Sequence, residues 1–170
     1  MQQVPKNIVR LSDYWHSLAG GEPPERDQFQ IEDVAQLLPY LLICDFEFDP
    51  FRVRYRLSGT RVDEVTGMNL TGHYLDEFLD GDYAQTVREM HDYYEEASRT
   101  GRPRIWTYPW AGDNPSGKVI WVGIFPLSVK GVIEKCVSIE DYGPIRLLEE
   151  GRIEPADRFL RADWARLDRG

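Results

Sequence analysis

The sequence predicts an α+β fold in which helices pack on an antiparallel sheet. Two segments, residues 41–49 and 52–58, alternate apolar and polar side chains with the period of two that marks a half-buried strand. Asp49-Pro50 lies between them and is a turn signal, so we expect a hairpin. After a long helical pattern come three more strand candidates: residues 104–110, 119–127 and 132–142.

Helical patterns flank these strands. Residues 8–18 predict an amphipathic helix that Gly20-Gly21 ends, and residues 28–38 give a second pattern. The long helix predicted over residues 82–99 carries an apolar stripe made of Tyr83, Val87, Met90, Tyr94 and Ala97. The last pattern covers residues 155–167, with Phe159 and Trp164 on its apolar face.

The second strand and the turn after it have a definite pattern. Val53, Tyr55 and Leu57 share the face that should meet the core, while the arginines of the strand point outward. Thr60 can cap a short helix, and Gly67 stands where a left-handed helix stop is expected. By contrast, the strand predicted over residues 119–127 is apolar on both faces, so we expect it to be covered on both sides.

Composition excludes several classes of function. The net charge of −9 and the sequence pI of about 4.8 argue against nucleic-acid binding, which needs a basic surface. No apolar run has the length of a membrane span, and the first residues do not resemble a signal peptide, so we expect a cytoplasmic protein without membrane contact. Two cysteines without ligand spacing predict neither a disulfide scaffold nor a metal site.

Three short words carry a resemblance to a known family: Leu37-Leu-Pro-Tyr-Leu41, Arg54-Tyr-Arg-Leu-Ser-Gly-Thr60 and Gly67-Met-Asn-Leu-Thr-Gly72. With the order of helices and strands, they resemble a bacterial PAS family that is common in alphaproteobacteria and was long catalogued as a domain of unknown function. The resemblance covers roughly residues 15–141. It implies a five-stranded antiparallel sheet in the order 2-1-5-4-3, with short helices on one face and added N- and C-terminal helices.

The implied sheet order makes the strands that hold Cys44 and Cys136 neighbours. Alternation places Cys44 on the apolar face and Cys136 with the polar Ser138 and Glu140 on the other. We therefore expect no disulfide between the two cysteines, because they would face opposite sides of the sheet.

The resemblance to a sensory cup raises the question of what the cup holds. Candidates to line a small-ligand cavity are Phe46, Tyr55, Leu57, Met90, His91, Tyr94 and Trp121. Aromatic side chains at such spacing more often simply fill the core, and the sequence leaves both alternatives open.

The cofactor alternatives, haem and flavin, are disfavoured. His91 lies on the long helix but on the shoulder of its apolar stripe, which is a poor position for a haem ligand. Photoactive flavin domains carry an Asn-Cys-Arg-Phe word where this chain has Met68-Asn-Leu-Thr-Gly72. We expect no cofactor, and keep a haem- or flavin-bearing sensor as the alternative.

An enzyme is not expected either. The sequence has no nucleophile elbow, phosphate loop or paired catalytic carboxylates. The remaining enzyme alternative is a cup of the ketosteroid-isomerase type, which collects its long helices before the sheet, whereas here two strands precede the long helix. A buried titrating carboxylate facing the cavity would favour that alternative.

The terminal helices are candidates for a surface that contacts a partner. The residues predicted for a dimer or partner interface are Leu11, Trp15, Leu18, Phe159 and Trp164. Packing of the same helices on their own domain is the competing interpretation.

Together these observations predict a stand-alone PAS sensory or regulatory module that acts through protein contact, as a homodimer or with a regulatory protein partner. The predicted division is an N-terminal helical extension (residues 1–26), a PAS domain (residues 27–142) and a C-terminal helical tail (residues 143–170).

Overall fold

The structure, a computed structural model, describes residues 3–80, 84–109 and 119–143. Its α-helices are α1 (Lys6–Leu18), α2 (Thr60–Thr66) and α3 (Ala84–Thr100). Its strands are β1 (Leu41–Glu47), β2 (Arg52–Ser58), β3 (Arg104–Pro109), β4 (Val119–Val129) and β5 (Val132–Asp141). Short 3-10 helices cover Arg26–Gln28, Ile31–Tyr40 and Leu75–Phe78.

The five strands form one antiparallel sheet in the order β2-β1-β5-β4-β3, which confirms the predicted topology. The turn between β4 and β5 consists of Lys130 and Gly131, both with positive φ, as a two-residue hairpin with right-handed strand twist requires. The pattern over residues 28–38 forms 3-10 turns rather than an α-helix. The predicted C-terminal helix, with Phe159 and Trp164, lies outside the described residues.

Two apolar clusters cover the two faces of the sheet. The inner core lies under α2 and α3 and includes Val53, Tyr94, Ile120 and Val122. The outer core lies under α1 and the 3-10 helix of residues 31–40; its buried members are Ile8, Leu11, Trp15, Phe29, Val34, Leu37, Leu41, Phe125, Leu127, Val137 and Ile139. The prediction that the strand beginning at Val119 is covered on both sides is confirmed.

Helix α1 is anchored to the sheet by two polar contacts as well as by its apolar face. The indole N–H of Trp15 donates to the carbonyl oxygen of Pro126 over 2.7 Å. The amide of Asn7 donates to the carboxylate of Asp141, at the end of β5, over 3.1 Å. The helix therefore forms a second layer on the sheet.

The charged residues of the β1–β2 hairpin point outward as predicted and pair across strands. Asp45 of β1 lies 3.3 Å from the guanidinium of Arg56 and also contacts Lys135 of β5. Arg52 makes two hydrogen bonds to Asp76, at 2.6 and 2.9 Å, while its guanidinium carbon lies 3.7 Å from the centre of the Tyr74 ring. The Arg52 guanidinium lowers the pKa of Asp76 through these hydrogen bonds. Arg52 therefore fastens the 3-10 helix of residues 75–78 to β2, and Arg56 pairs with β1, both on the outward face of the hairpin.

Helix α2 has a glycine at each of its two cap positions. Gly67 closes the helix with φ of 78°, the left-handed conformation predicted for it. Gly59, rather than Thr60, occupies the N-cap position, and its N–H donates to the carbonyl oxygen of Leu41 over 2.8 Å. The turn from β2 to α2 therefore lies directly against the backbone of residues 38–41.

Candidate functional site

Polar side chains gather on the inner face of β5, inside an otherwise apolar cup. Cys136, Ser138 and Glu140 alternate along the strand with Val137 and Ile139, which belong to the outer core. All three are at least nine-tenths buried. Cys136 packs as a small apolar side chain, whereas Ser138 and Glu140 are polar, and a buried polar group is costly unless a hydrogen-bond partner compensates it.

Glu140 is the most costly of these groups to bury. Its carboxylate accepts hydrogen bonds from the hydroxyls of Tyr142 and Tyr108. Burial raises the pKa of Glu140 above its ordinary value, and the two tyrosine hydrogen bonds offset only part of that effect. Within the described residues, no lysine, arginine or histidine forms an ion pair with it. The cup thus contains a carboxyl group without a cationic partner among these residues.

Tyr55 of β2 belongs to the inner core, and burial is the main cause of the raised pKa of its hydroxyl, with smaller electrostatic contributions from Cys44 and Glu140. The side chain is only 4% exposed. Tyr55 is the register partner of Cys44 on β1, so its ring belongs to the aromatic and apolar surface of the inner core.

A second polar contact lies further along β5. The Tyr94 hydroxyl of α3 and the Ser138 hydroxyl are 2.9 Å apart, and Ser138 lies 3.7 Å from the sulfur of Cys136. This contact joins the long helix to the centre of the sheet through buried hydroxyls. It therefore connects the position of α3 to the inner face of β5.

A model of a PAS domain family matches residues 3–100 of the chain. The chain belongs to the PAS domain family. Comparison with curated proteins found no match. Among solved structures, one of the Vibrio cholerae VqmA dimer, from work on DNA binding by LuxR-type receptors, is 14% identical with a TM-score of 0.43; the match covers 68% of this chain and about half (52%) of that one.

Most of the predicted cavity residues lie in the inner core of this PAS domain. Phe46, Tyr55 and Tyr94 are buried there, and Met90 packs against them half-buried. Leu57 is half-buried at the end of β2 and is not among the buried members of the inner core.

The prediction for Trp121 is wrong. Its side chain packs against the outer core, on the side of the sheet that α1 covers. Because β4 is apolar on both faces, its pattern could not show which face meets the cup. The inward residues of β4 are Ile120, Val122 and Ile124.

His91 is half-buried on α3, and its Nε2 lies 3.2 Å from the carbonyl oxygen of Phe51. Its ring also packs edge-on against the Phe51 ring, with centroids 5.3 Å apart. The potential ligand atoms of His91, Asp92 and Glu95 come within 4.8 Å of one another, a grouping that the sequence analysis did not find. Asp92 and Glu95 are exposed, and such surface groups commonly occur without an ion. We therefore propose no metal site at these residues.

The interface candidates of α1 pack against their own sheet. Leu11 is fully buried in the outer core and Trp15 is 5% exposed, while Leu18 is half-buried. Leu11 and Trp15 therefore pack on their own domain, which is the competing interpretation given for these helices. The exposed face of the same helix carries Val9, which is 43% exposed. Among the described helices none combines the length and apolar character needed to cross a bilayer.

The expected orientation of the two cysteines is also wrong. Cys44 of β1 and Cys136 of β5 are direct partners in the antiparallel register, and both are completely buried in the inner core. Polar Ser138 and Glu140 had suggested that Cys136 faces outward. In fact α1 covers the outer face beside Val137 and Ile139, and Cys136, Ser138 and Glu140 face the cup.

We expect both thiols to react slowly despite this pairing. Burial raises the pKa of the Cys136 thiol, so a smaller fraction of it is in the reactive thiolate form, and both cysteine side chains are buried. A disulfide-exchange reagent should modify the native protein about 100-fold or more slowly than the unfolded protein, since a local opening that costs about 3 kcal/mol reduces the exposed population by that factor. Single Cys44→Ser and Cys136→Ser variants show which thiol gives rise to each modification rate. Rapid modification of either thiol in the native protein would contradict the buried arrangement.

The pH dependence of stability should report Glu140. Its pKa is higher in the folded state than the ordinary 4.5, so the folded protein binds more protons and its stability falls as pH rises from that value through the folded pKa. Each unit of difference corresponds to about 1.4 kcal/mol. Glu140→Gln should remove this slope and raise the free energy of unfolding at neutral pH, as measured by urea denaturation at several pH values.

Glu134→Gln is the matched control because Glu134 is an exposed residue on the same strand. It makes the same change in net charge and should leave the slope in place. If Glu140→Gln and the wild type gave parallel profiles, the buried carboxyl would not be the source of the slope.

Proposed function

We propose that this chain is a cytoplasmic PAS sensory or regulatory module in which a small molecule bound in the cup biases a contact with another protein. A PAS sensory or regulatory role is the function that the family supports, and PAS domains commonly mediate protein contacts and dimerisation. The ligand, the homodimer and the regulatory partner are the parts that we add.

The observation that carries the ligand is the set of buried polar groups on the inner face of the sheet. A core that only filled space would gain nothing from the carboxyl group of Glu140, which is costly to remove from water. Ligand sites, by contrast, are mostly apolar with a few polar groups that fix the orientation of the bound molecule. Phe46 and Tyr94 supply aromatic surface in the same cluster.

Haem and flavin do not form part of the proposal. The position of His91 supports leaving haem out, because its Nε2 is already within hydrogen-bond distance of the Phe51 carbonyl oxygen. The protein should stay colourless after reconstitution with either cofactor. A stable Soret band or bound flavin fluorescence would replace the proposal with a cofactor-bearing sensor.

Native mass spectrometry of the freshly purified protein tests the proposal directly. The expected spectrum shows a species of two chains, each with an added small mass that denaturation releases. A strictly monomeric species would defeat the homodimer. If no mass is retained and no member of a metabolite collection raises the melting temperature of the protein, the proposal that the cup binds a ligand also fails.

A second candidate function, a small-molecule enzyme in the same cup, is favoured by one observation. Glu140 is a buried carboxyl with a raised pKa flanked by two tyrosine hydroxyls, and groups of this kind transfer protons near neutral pH. Chemical analysis of a molecule recovered after prolonged incubation separates the two functions. An unchanged molecule supports the regulatory module, and a converted one, with conversion lost in Glu140→Gln, supports the enzyme.

A further inference from the structure

We infer that the molecule bound in the cup is a small primary amine with an apolar body, whose ammonium group pairs with Glu140. The inference rests on the proposed function, because it specifies the chemistry of the ligand in the same site. It follows from the charge, the hydrogen-bonding capacity and the surroundings of the inner face.

Glu140 supplies the charge of the site among the described residues. The described residues that interact with it are tyrosines, which are neutral, and no described cation pairs with it. An ionised carboxylate in such surroundings is stabilised most by an opposite charge brought within contact distance. The carboxylate would repel an anionic ligand. A neutral ligand could offer it a hydrogen bond but no opposite charge, which is the weaker interaction.

The hydrogen-bonding capacity fits the same conclusion. A carboxylate can accept about four hydrogen bonds, and the hydroxyls of Tyr108 and Tyr142 use two of them. An ammonium group has three donors and no acceptor, so it can supply the hydrogen bonds that the two tyrosines leave unused on the carboxylate.

The surroundings favour an apolar body attached to the amine. Phe46, Tyr55 and Tyr94 present aromatic rings in the inner core, and the Phe46 and Tyr94 ring centroids lie 6.3 Å apart in an edge-on arrangement. Aromatic faces attract cations as well as apolar groups. Polyamines and amino acids fit less well, because each adds charges for which the described inner face has no partner.

The test uses three probes that share one body: 2-phenylethylamine, 2-phenylethanol and 3-phenylpropanoate. Binding to the full chain is followed by shifts of backbone amide NMR signals, which also locate the probe. For the wild type we expect the amine to bind about tenfold or more tightly than the alcohol, because a hydrogen bond to a charged group contributes a free energy of that size. We expect the carboxylate probe not to bind. The shifted signals should include those of β5 around Glu140 and of Tyr55.

Two variants show whether Glu140 is responsible. Glu140→Gln keeps the shape and the acceptor oxygen but removes the charge, so the advantage of the amine over the alcohol should disappear. Glu134→Gln, on the exposed part of β5, should keep that advantage. A thermal melt of each variant checks that it is folded, and Glu140→Gln is expected to be at least as stable as the wild type at neutral pH.

Several results would overturn the inference. It fails if the alcohol binds as tightly as the amine, if Glu140→Gln retains the preference, or if none of the probes binds. Binding of the alcohol or the carboxylate in the cup, or a retained neutral or anionic molecule in the native mass spectrum, would refute the amine and leave the ligand-responsive module standing. If no probe binds and no retained mass is found, both the inference and the ligand of the proposed function fail.

Discussion

Replacing Gly59 by alanine is expected to destabilise the domain by about 3 kcal/mol or more, the upper range for overpacking. A Cβ at this position would lie 2.3 Å from the carbonyl oxygen of Leu38 and 2.4 Å from that of Pro39. Both are backbone atoms, so no side-chain rotation can relieve the clash. The backbone of Gly59 has an ordinary φ of −71°, and the cause is therefore the close approach of two chain segments.

Urea denaturation followed by circular dichroism measures this effect, and Gly20→Ala is its control. A Cβ at Gly20 would meet no atom within 4 Å, so that variant should stay within about 0.5 kcal/mol of the wild type. If Gly59→Ala unfolded at the same urea concentration as Gly20→Ala, the packing of α2 against residues 38–39 would be wrong.

The second large effect is expected from Trp15→Ala, which should cost about 3–5 kcal/mol, as removal of a buried tryptophan does. The Trp15 side chain is 5% exposed and packs with Phe125, and its N–H is bonded to the Pro126 carbonyl oxygen. The loss would leave both a cavity and an unpaired carbonyl group. Equilibrium unfolding in urea gives the change in the free energy of unfolding.

Val9→Ala provides the comparison on the same helix, because Val9 is 43% exposed and its truncation should change stability by about 0.5 kcal/mol at most. Trp15→Phe separates the two parts of the effect, since it keeps most of the packing and removes the hydrogen bond. A Trp15→Ala protein as stable as Val9→Ala would mean that α1 does not pack on the sheet.

The sheet and its order were accessible from the sequence because local patterns and a family resemblance agreed. The β1–β2 hairpin has a strict alternation, a turn signal and opposite charges on its outer face, and each of these is a property of neighbouring residues. Gly67 was predictable for the same reason, since a helix stop in the left-handed conformation depends on one residue.

The polar site was not predicted, because it depends on which face of β5 meets the cup. Ser138 and Glu140 were assigned to the outer face on the rule that polar residues meet solvent. That rule fails where both faces of a sheet are covered. The amphipathic pattern of residues 8–18 was the available signal: had that helix been placed on the sheet, Val137 and Ile139 would have faced it, and Glu140 would have faced inward.

Adjacent residues at the end of β5 serve different layers of the protein. Glu140 faces the cup, and Asp141, the next residue, holds Asn7 of α1 on the opposite side of the sheet. One peptide unit therefore separates the candidate ligand contact from the attachment of the N-terminal helix. Under the proposed function, a displacement of the strand that accompanies ligand binding would reach α1 without an intervening element, so we expect the surface of that helix to be the first to differ between the free and the bound state.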